Sequence, residues 1–229
     1  MGVICSDLRI SRGGFHLSAH WTLAAGASLA LIGPSGAGKS LFLGALAGFD
    51  QVTSGRISMA GTDVTDLAPA DRPLTIMFQD HNLFPHLTVA DNVALGIDPG
   101  LKRRESTTEQ VLAALGAVDL DGFAARYPSE LSGGQQSRAA LARALIRRRD
   151  VLLLDEPFSA LGPGLRRQML RLVERICREQ RMTLIHVTHA PADAAEADLV
   201  SFVHDHQVAA PVAPAVLFAA PPAALKDYL

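Results

Sequence analysis

Hydrophobic positions divide the chain into short apolar runs separated by turn residues. Residues 15–23 carry an apolar side chain at every second position, which predicts a half-buried strand. Two further runs, Ser28–Ile32 and residues 151–154, are almost wholly apolar, as is typical of parallel strands covered on both faces. Further strands are predicted at residues 56–59, 74–77, 183–186 and 200–203.

Helical spacing connects these strands. Residues 40–49 predict a helix that stops near Gly48, and residues 78–148 are mainly helical in pattern. Pro163 favours the start of another helix, and Pro191 the start of a later one. The apolar stripe predicted on the helix after Pro163 comprises Leu165, Met169, Leu172, Val173 and Ile176. Alternating strands and helices predict a parallel α/β sheet, which the long helical stretch interrupts as a sub-domain.

Composition limits the class of protein. A chain of 229 residues suffices for one large domain, or one domain that carries a sub-domain. Hydrophobic residues make up 48% and charged residues 19%, which is a globular composition. The net charge of −2 gives no sign of nucleic-acid binding, and no stretch approaches the roughly 20 apolar residues that cross a bilayer. We therefore expect any membrane role to come through a partner.

Cysteines and basic clusters add no chemistry. Cys5 and Cys177 lie far apart and match no metal or disulfide spacing, and Cys177 is expected to be buried on a helix. Residues 147–149 are three arginines, which we expect to end a helix in solvent.

A glycine-rich turn lies between the strand at Ser28–Ile32 and the helix that follows. It has the form GxxxxGKS and comprises Gly33, Pro34, Ser35, Gly36, Ala37, Gly38, Lys39 and Ser40. Glycines let backbone N–H groups curl around phosphate oxygens, and the helix N-terminus adds unpaired donors. Lys39 supplies a charge for the β and γ phosphates, and Ser40 a hydroxyl for Mg²⁺. The turn predicts a nucleotide-binding protein.

Two adjacent carboxylates follow the apolar run at residues 151–154. A buried strand that ends there places Asp155 and Glu156 at its carboxyl end, where α/β sheets bind ligands. Asp155 is the candidate Mg²⁺ ligand, and Glu156 is the candidate base for the water that attacks the γ-phosphate. The alternative is an acidic strand end at the surface, which the nearby phosphate loop disfavours.

A third segment, LSGGQ at residues 131–135, precedes a helix rich in alanine and leucine. It offers a hydroxyl, two glycines that allow close approach, and a helix N-terminus facing an anion. Together with the two elements above it resembles the signature of ATP-binding-cassette (ABC) ATPases. The resemblance implies ATP and Mg²⁺ as ligands and a head-to-tail homodimer. In that dimer, Ser132, Gly133, Gly134 and Gln135 contact the γ-phosphate held by the opposing subunit.

The resemblance also implies a fold for the whole chain. That fold is an α/β P-loop NTPase core with a RecA-like parallel sheet, N-terminal antiparallel strands and an inserted α-helical sub-domain. Residues 1–229 would form one nucleotide-binding domain. Its catalytic core would be residues 1–78 and 149–229, and residues 79–148 would be the helical sub-domain that carries the signature.

Single residues match other family elements. Gln79 is similar to the Q-loop glutamine, which senses Mg²⁺ and the transmembrane partner. His189 is similar to the switch histidine that contacts the γ-phosphate, and residues 159–161 resemble the start of the D-loop at the dimer interface. Phe15 is the candidate for stacking on adenine, with core packing as the alternative, whereas Trp21 is expected in the core.

The sequence departs from the family pattern at several positions. Leu41 replaces a hydroxyl residue, so only its backbone N–H remains for the α-phosphate. Gly162 stands where the D-loop usually has aspartate, which predicts poor coupling across the dimer. Gln136 and Ser137 replace a basic residue and a glutamine, although Arg138 fits.

The stretch FQDHNLFPHLTV at residues 78–89 resembles bacterial import ATPases, most closely those that serve thiamine import. The resemblance implies a permease as direct partner, a periplasmic solute-binding protein as indirect partner, and no nucleic acid. It also implies a position at the cytoplasmic face of the bacterial inner membrane. Leu83, Phe84 and Leu87 either line a groove for a permease helix or pack inside the helical sub-domain.

Two other classes stay open at this point. A soluble ABC protein that acts on DNA or ribosomes would usually carry coiled coils, zinc insertions or a second cassette, and the sequence has none of these. An export ATPase would carry the same nucleotide motifs, so the motifs alone do not separate export from import.

Overall fold

The computed structural model describes residues 2–78, 82–101 and 105–226. Within them, one mixed sheet has the strand order β5-β4-β1-β2-β10-β9-β3-β8-β7-β6. The strands are β1 Val3–Arg12, β2 Phe15–Leu23, β3 Ser28–Ile32, β4 Val52–Met59, β5 Thr62–Asp63, β6 Leu74–Met77, β7 Val151–Asp155, β8 Thr183–Val187, β9 Leu199–His204 and β10 Gln207–Val208. Strand β1 pairs antiparallel with β2 and β4, whereas β9, β3, β8, β7 and β6 are mutually parallel. The predicted parallel α/β sheet with antiparallel N-terminal strands is confirmed.

Helices cover both faces of the parallel half. They are α1 Lys39–Ala47, α2 Val89–Ala94, α3 Glu105–Ala117, α4 Gly133–Leu145, α5 Pro163–Gln180, α6 Pro191–Ala194, α7 Pro214–Ala219 and α8 Ala223–Lys226. Leu152 and Leu154 of β7 pack into the cluster formed with α2, α4 and α5. Val151 and Leu153 point to the opposite face and pack with α1. This alternation explains the wholly apolar run, because both faces of β7 are buried.

Loops at one edge of the sheet follow from this topology. Strands β3, β7 and β8 are parallel neighbours, so their carboxyl ends lie at the same edge. The phosphate-binding turn follows β3, the adjacent carboxylates end β7, and His189 follows β8. Three polar segments that are far apart in sequence thus converge.

Glycine and proline in the sequence predicted the ends of several helices. Helix α1 ends at Ala47, and Gly48 adopts a left-handed conformation with φ 85° that closes the helix, as expected. Helices α5 and α6 begin at Pro163 and Pro191. One expectation was wrong: Leu165 is 38% exposed instead of sharing the buried stripe of α5. It lies in the first turn of α5, where its side chain reaches Gly134 of α4 and does not reach the sheet.

Strand β1 is absent from the sequence-based prediction, because its hydrophobic alternation is interrupted. The pairing register with β2 shifts between Cys5 and Leu8. Asp7 has φ 46°, a left-handed conformation that is uncommon for a residue with a side chain. Such a bulge moves the apolar positions of the second half to the same face as those of the first.

Other sequence-based expectations concern burial. Cys5 and Cys177 are free and buried, and burial raises the pKa of each thiol to about 12. Trp21 lies in the core with its ring edge-on to Phe42 at 5.7 Å between centroids. In the part of the chain that the structure describes, no helix is long and apolar enough to cross a membrane.

Candidate nucleotide-binding and catalytic site

The turn between β3 and α1 needs glycine at two positions for different reasons. Gly38 has φ 99°, and a Cβ there would lie 2.9 Å from Cε1 of Phe15. At Gly33 a Cβ would lie 2.2 Å from the carbonyl oxygen of Val203, so the loop passes too close to β9 for any side chain. The turn is therefore held against both neighbours, with the N-terminus of α1 at its end.

Lys39 is buried inside this turn. Its Nζ donates to the carbonyl oxygens of Gly33 at 2.7 Å and Pro34 at 2.8 Å. Burial lowers the pKa of Lys39, whereas the nearby Glu156 and Asp155 raise it. The loop carbonyls and the two carboxylates thus hold the ammonium group of Lys39 inside the turn.

Ser40 joins α1 to the end of β7. Its Oγ donates to Oδ1 of Asp155 at 3.3 Å. Burial raises the pKa of Asp155, against the hydrogen bond from Ser40, which lowers it. A hydroxyl and a carboxylate are oxygen ligands of the kind that Mg²⁺ takes, together with substrate phosphates and water. No group of three or more His, Cys, Asp or Glu side chains suited to a metal occurs among the described residues.

Glu156 and His189 meet across the ends of β7 and β8. Nε2 of His189 contacts Oε1 of Glu156, and both side chains are partly exposed. Glu156 adopts a left-handed conformation with φ 47°, which is uncommon for a side-chain-bearing residue and recurs at functional sites. The pair combines an acceptor for a water proton with a ring N–H donor.

These groups surround a cavity of 320 Å³. It is lined by Arg12, Phe15, Ser35, Gly36, Gly38, Lys39, Ser40, Leu41, Glu156 and His189. A volume of this size is at the lower end of ligand sites. The structure therefore brings together most predicted phosphate-loop residues, both candidate catalytic residues and Phe15, with Gly33, Pro34, Ala37 and Asp155 in the same loops.

Phe15 packs against the core and also borders the cavity, so its stacking on adenine stays a prediction. Its ring packs against Gly38 and against His206, 4.9 Å away between centroids, and it also borders the cavity. Sequence reasoning missed two neighbours here. Arg12 faces Phe15 across the β1–β2 hairpin, a pairing that the Gly13-Gly14 turn could have signalled. His206 comes from the β9–β10 turn, and nothing local in the sequence indicates its position.

Leu41 lies beside the phosphate loop. Its side chain is half-buried, packs against the core cluster under α1 and lines the cavity. The hydroxyl that the family pattern has here is thus replaced by apolar contact, and the backbone N–H is the remaining donor at this position.

The LSGGQ segment forms the start of α4. Ser132 caps the helix: its Oγ accepts from the Gln135 N–H at 3.4 Å, and its own N–H donates to Oε1 of Gln135 at 2.9 Å. Among the described residues that line the 320 Å³ cavity, none belongs to this segment.

The unusual residues after the signature have structural partners. Nε2 of Gln136 donates to the Pro128 carbonyl at 3.0 Å, and the Oγ of buried Ser137 donates to the Gly133 carbonyl at 3.0 Å. Nη1 of Arg138 donates to Oδ2 of Asp119 at 2.6 Å. These bonds fix the helix start to its surroundings.

Gly162 is the N-cap residue of α5, and its backbone is extended with φ −60°. A Cβ at this position would meet no described atom within 4 Å. No contact at the Cβ position therefore requires glycine here.

Gln79, the candidate Q-loop glutamine, lies outside the described residues. The loop at residues 84–88, which follows in the chain, is held by the buried side chain of Asn92. Its Oδ1 accepts a hydrogen bond from the Phe84 N–H at 2.7 Å, and its Nδ2 donates to the carbonyls of Phe84, Leu87 and Thr88. Leu83 packs against the core, as one alternative predicts, whereas Phe84 is 47% exposed. A groove for a permease helix at this loop stays a prediction.

Comparison with known sequences gives consistent matches. The sequence profile of the ABC transporter family matches residues 17–159. A thiamine import ATP-binding protein of Ruegeria sp. strain TM1040 is 50% identical over 224 residues, which is 97% of each chain. One from Jannaschia sp. strain CCS1 is 54% identical over 213 residues, 92% of this chain and 93% of that one. One from Brucella suis biovar 1 is 47% identical over 226 residues, 98% of this chain and 94% of that one.

Solved structures agree. The cassette MJ0796, in a dimeric post-hydrolysis state bound to ADP and Pi, is 28% identical with a TM-score of 0.76, covering 93% of this chain and 98% of its own. The cassette MJ1267 in its ADP conformation has a TM-score of 0.89 over 99% of this chain and 97% of its own, at 21% identity, which supports the fold alone. The predicted P-loop NTPase fold is thereby confirmed.

Proposed function

This chain belongs to the ABC transporter family, and from that premise we propose that it is the ATP-hydrolysing subunit of a bacterial importer for thiamine or its phosphates. The observation that carries the activity is the convergence of Lys39, Glu156 and His189 on one cavity. The substrate class is supported by the names of relatives about 50% identical over nearly the whole chain.

The proposed reaction is attack of water on the γ-phosphorus of ATP. The bond to the β–γ bridging oxygen breaks, ADP leaves, and the proton of the water passes to Glu156. His189 orients Glu156 through their contact and offers its ring N–H to the transferring phosphoryl group. Lys39 exchanges its loop carbonyls for phosphate oxygens when the nucleotide binds.

We propose Ser40, Asp155 and Gln79 as the residues that hold Mg²⁺. The metal would neutralise charge on the β and γ phosphates. The contact between Ser40 and Asp155 supports the first two residues. Asp155 keeps its carboxylate at the edge of the cavity, and Ser40 fixes its orientation there.

The proposed active assembly is a homodimer. Ser132 to Gln135 are not among the described residues that line the 320 Å³ cavity of their own chain, and the related cassette MJ0796 is described as a dimer. We propose that each segment closes over the triphosphate bound by the other subunit, where the N–H groups at the start of α4 face the γ-phosphate.

A permease is the proposed membrane partner, with a periplasmic binding protein acting through it. Phe49, Phe78 and Phe84 expose 57%, 43% and 47% of their surface, which is unusual for large apolar side chains. Phe49 and Phe78 also pack together at 6.0 Å between ring centroids. This apolar surface supports docking of a permease helix, and hence a position at the cytoplasmic face of the inner membrane.

The domain division is also a proposal. Helices α2, α3 and α4 all lie between β6 and β7 along the chain, which supports residues 79–148 as an inserted helical sub-domain. Residues 1–78 and 149–229 would then form the catalytic core.

Uptake of labelled thiamine tests the transport proposal. A strain that lacks this gene is expected to lose uptake at low external thiamine, and the wild-type gene to restore it. The Lys39→Ala variant is the matched control, because it keeps the fold but loses a phosphate contact. Equal restoration by both forms, or unchanged uptake in the deletion strain, would refute the transport role.

Phe15→Ala tests the nucleotide pocket. Loss of one stacking face is expected to raise the Kd for ATP by roughly 5- to 100-fold, as base stacking contributes about 1–3 kcal/mol. Equilibrium binding of a fluorescent ATP analogue measures the change. Trp21→Phe, a buried ring change away from the cavity, is the control. An unaltered Kd for Phe15→Ala would leave Phe15 as core packing only.

Gly162→Asp tests the unusual D-loop. The added side chain meets no clash and can cap α5, so stability should rise by a few tenths of a kcal/mol. We expect the rate of hydrolysis or its cooperativity in ATP to change, because aspartate restores the usual group at the dimer interface. Steady-state ATPase assays over a range of ATP concentrations measure this. An unchanged profile would show that Gly162 does not weaken coupling.

A further inference from the structure

A buried ion pair lies directly behind the catalytic pair. Nε of Arg166 on α5 approaches Oδ2 of Asp193 on α6 at 2.6 Å. The Asp193 side chain is 1% exposed and that of Arg166 is 26% exposed. A buried carboxylate at this depth is costly unless a cation compensates it, so the two residues hold each other in place.

Asp193 shapes the loop that carries His189. Its Oδ2 also accepts a 3.4 Å hydrogen bond from Oγ1 of Thr188, the residue before His189. The same Thr188 hydroxyl accepts from the N–H of Ala190, the residue after His189, at 3.1 Å. The N–H of Asp193 donates in turn to the Ala190 carbonyl at 3.0 Å. The residues on both sides of His189 are thus tied to one carboxylate.

Arg166 carries the connection to the other side of the site. It lies in the first turn of α5, and its N–H donates to the carbonyl of Gly162 at 3.0 Å. Gly162 ends the segment 159–162 that resembles the D-loop. The ion pair therefore joins the loop of His189 to the helix that begins where this segment ends.

A cavity of 170 Å³ lies between the two loops. Its lining includes Glu156, His189, Ser159, Arg166 and Asp193. Oδ1 of Asp193 is buried without a hydrogen-bond partner among the described residues, and the 2.6 Å contact with Arg166 lacks hydrogen-bond geometry. The ion pair thus spans this cavity and joins α5 to the helix that follows the loop of His189.

We propose that Asp193 and Arg166 are positioning residues of the ATPase site. Their ion pair holds His189 against Glu156 and ties that contact to the D-loop segment of the same subunit. This inference rests on the roles proposed above for Glu156 and His189. Neither Asp193 nor Arg166 lines the 320 Å³ cavity, so both act through the loop that they fix.

Asp193→Asn tests the inference, because it keeps the shape of the side chain and removes its charge. We expect kcat for ATP to fall on the order of 10- to 100-fold, as for other small misplacements of catalytic groups. KM should change by less than about threefold, because the phosphate loop is untouched. Arg166→Gln should produce the same split. Glu196→Gln is the matched control. It breaks the exposed ion pair between Glu196 and Arg171, and this ion pair also joins α5 to the segment after α6. The control should leave kcat and KM unchanged.

Histidine NMR gives a readout that does not depend on turnover. The chain has eight histidines, and the His189 signal is identified by its loss in His189→Gln. Asp193→Asn and Arg166→Gln should shift the His189 imidazole resonances and leave those of His16 and His20 in place. Arg166→Lys should shift them less and retain more kcat. It also keeps the test decidable if the neutral variants fail to fold.

The outcomes separate two failures. The positioning role is overturned if folded Asp193→Asn or Arg166→Gln has the kcat and the His189 resonances of Glu196→Gln. If neither of these variants folds, the same match in Arg166→Lys overturns it. Near-normal hydrolysis by His189→Gln instead overturns the proposed role of His189 itself, whatever the NMR spectra of the other variants show. If His189 mediates the effect, Asp193→Asn should cause little further loss in the His189→Gln background.

Discussion

Glu156→Gln is expected to lower the kcat for ATP hydrolysis by about 10²- to 10⁴-fold, the range usual for loss of a general base. Glutamine keeps the size of the side chain and its contact with His189, but it does not take the proton of the attacking water. Binding should persist, because Lys39, Ser40 and Asp155 are unchanged. Phosphate release with the purified protein measures the rate, and calorimetric titration with ATP measures the affinity.

Glu179→Gln is the matched control for this substitution. Glu179 is exposed at the end of α5, so its loss of charge should leave kcat unchanged. Turnover by Glu156→Gln within a fewfold of the wild-type rate would show that another group accepts the proton.

Mixing two inactive variants is expected to restore hydrolysis. Lys39→Ala lacks a working phosphate loop, and Ser132→Arg lacks a working signature. In a mixed dimer, the intact phosphate loop of one subunit meets the intact signature of the other, which gives one complete site. Each variant alone should be nearly inactive. An equal mixture should recover activity up to about a quarter of the wild-type rate, since half of randomly paired dimers are mixed and each carries one of two sites.

Mixing Lys39→Ala with Glu156→Gln is the control for this experiment. Both changes fall on the phosphate-loop side, so every site in every pairing has one defect, and no activity should return. If the mixture of Lys39→Ala with Ser132→Arg yields neither activity nor a mixed dimer on gel filtration, each chain must complete its own site.

The site was predictable where a local motif coincides with a strand end. The apolar strand before Asp155 and Glu156 fixes both carboxylates at the ligand-binding edge, and the glycine pattern before Lys39 implies the turn that holds it. His189 needed the family resemblance, because a single histidine after a strand carries no distinctive spacing.

Other parts of the site depend on contacts between distant segments. Asp193 lies in an alanine-rich stretch with Glu196 and Asp198, and this stretch has the composition of a surface helix. Packing against α5 nevertheless buries Asp193. Arg166 is one of two adjacent arginines, and the sequence does not say which one turns inward. The bulge at Asp7 similarly hid β1, because it interrupts the alternation of apolar positions. It depends on a distant contact, the close approach of Gly55 of β4 to the Asp7 carbonyl.

At the positions that depart from the family pattern, the sequence likewise does not reveal what the side chains contact. Gln136 and Ser137 look like lost functional residues in the sequence, but both make hydrogen bonds that fix the start of α4. Gly162 has open space around it, so packing among the described residues does not explain the glycine.

Light scattering on Glu156→Gln with Mg-ATP tests the shared-site dimer most directly. A single chain has a mass of 24.3 kDa. The shared site predicts that adding Mg-ATP doubles this mass, and that Ser132→Arg in the same chain abolishes the doubling while ATP still binds. A mass that stays at 24.3 kDa with ATP bound to Glu156→Gln would contradict a site completed by the second subunit.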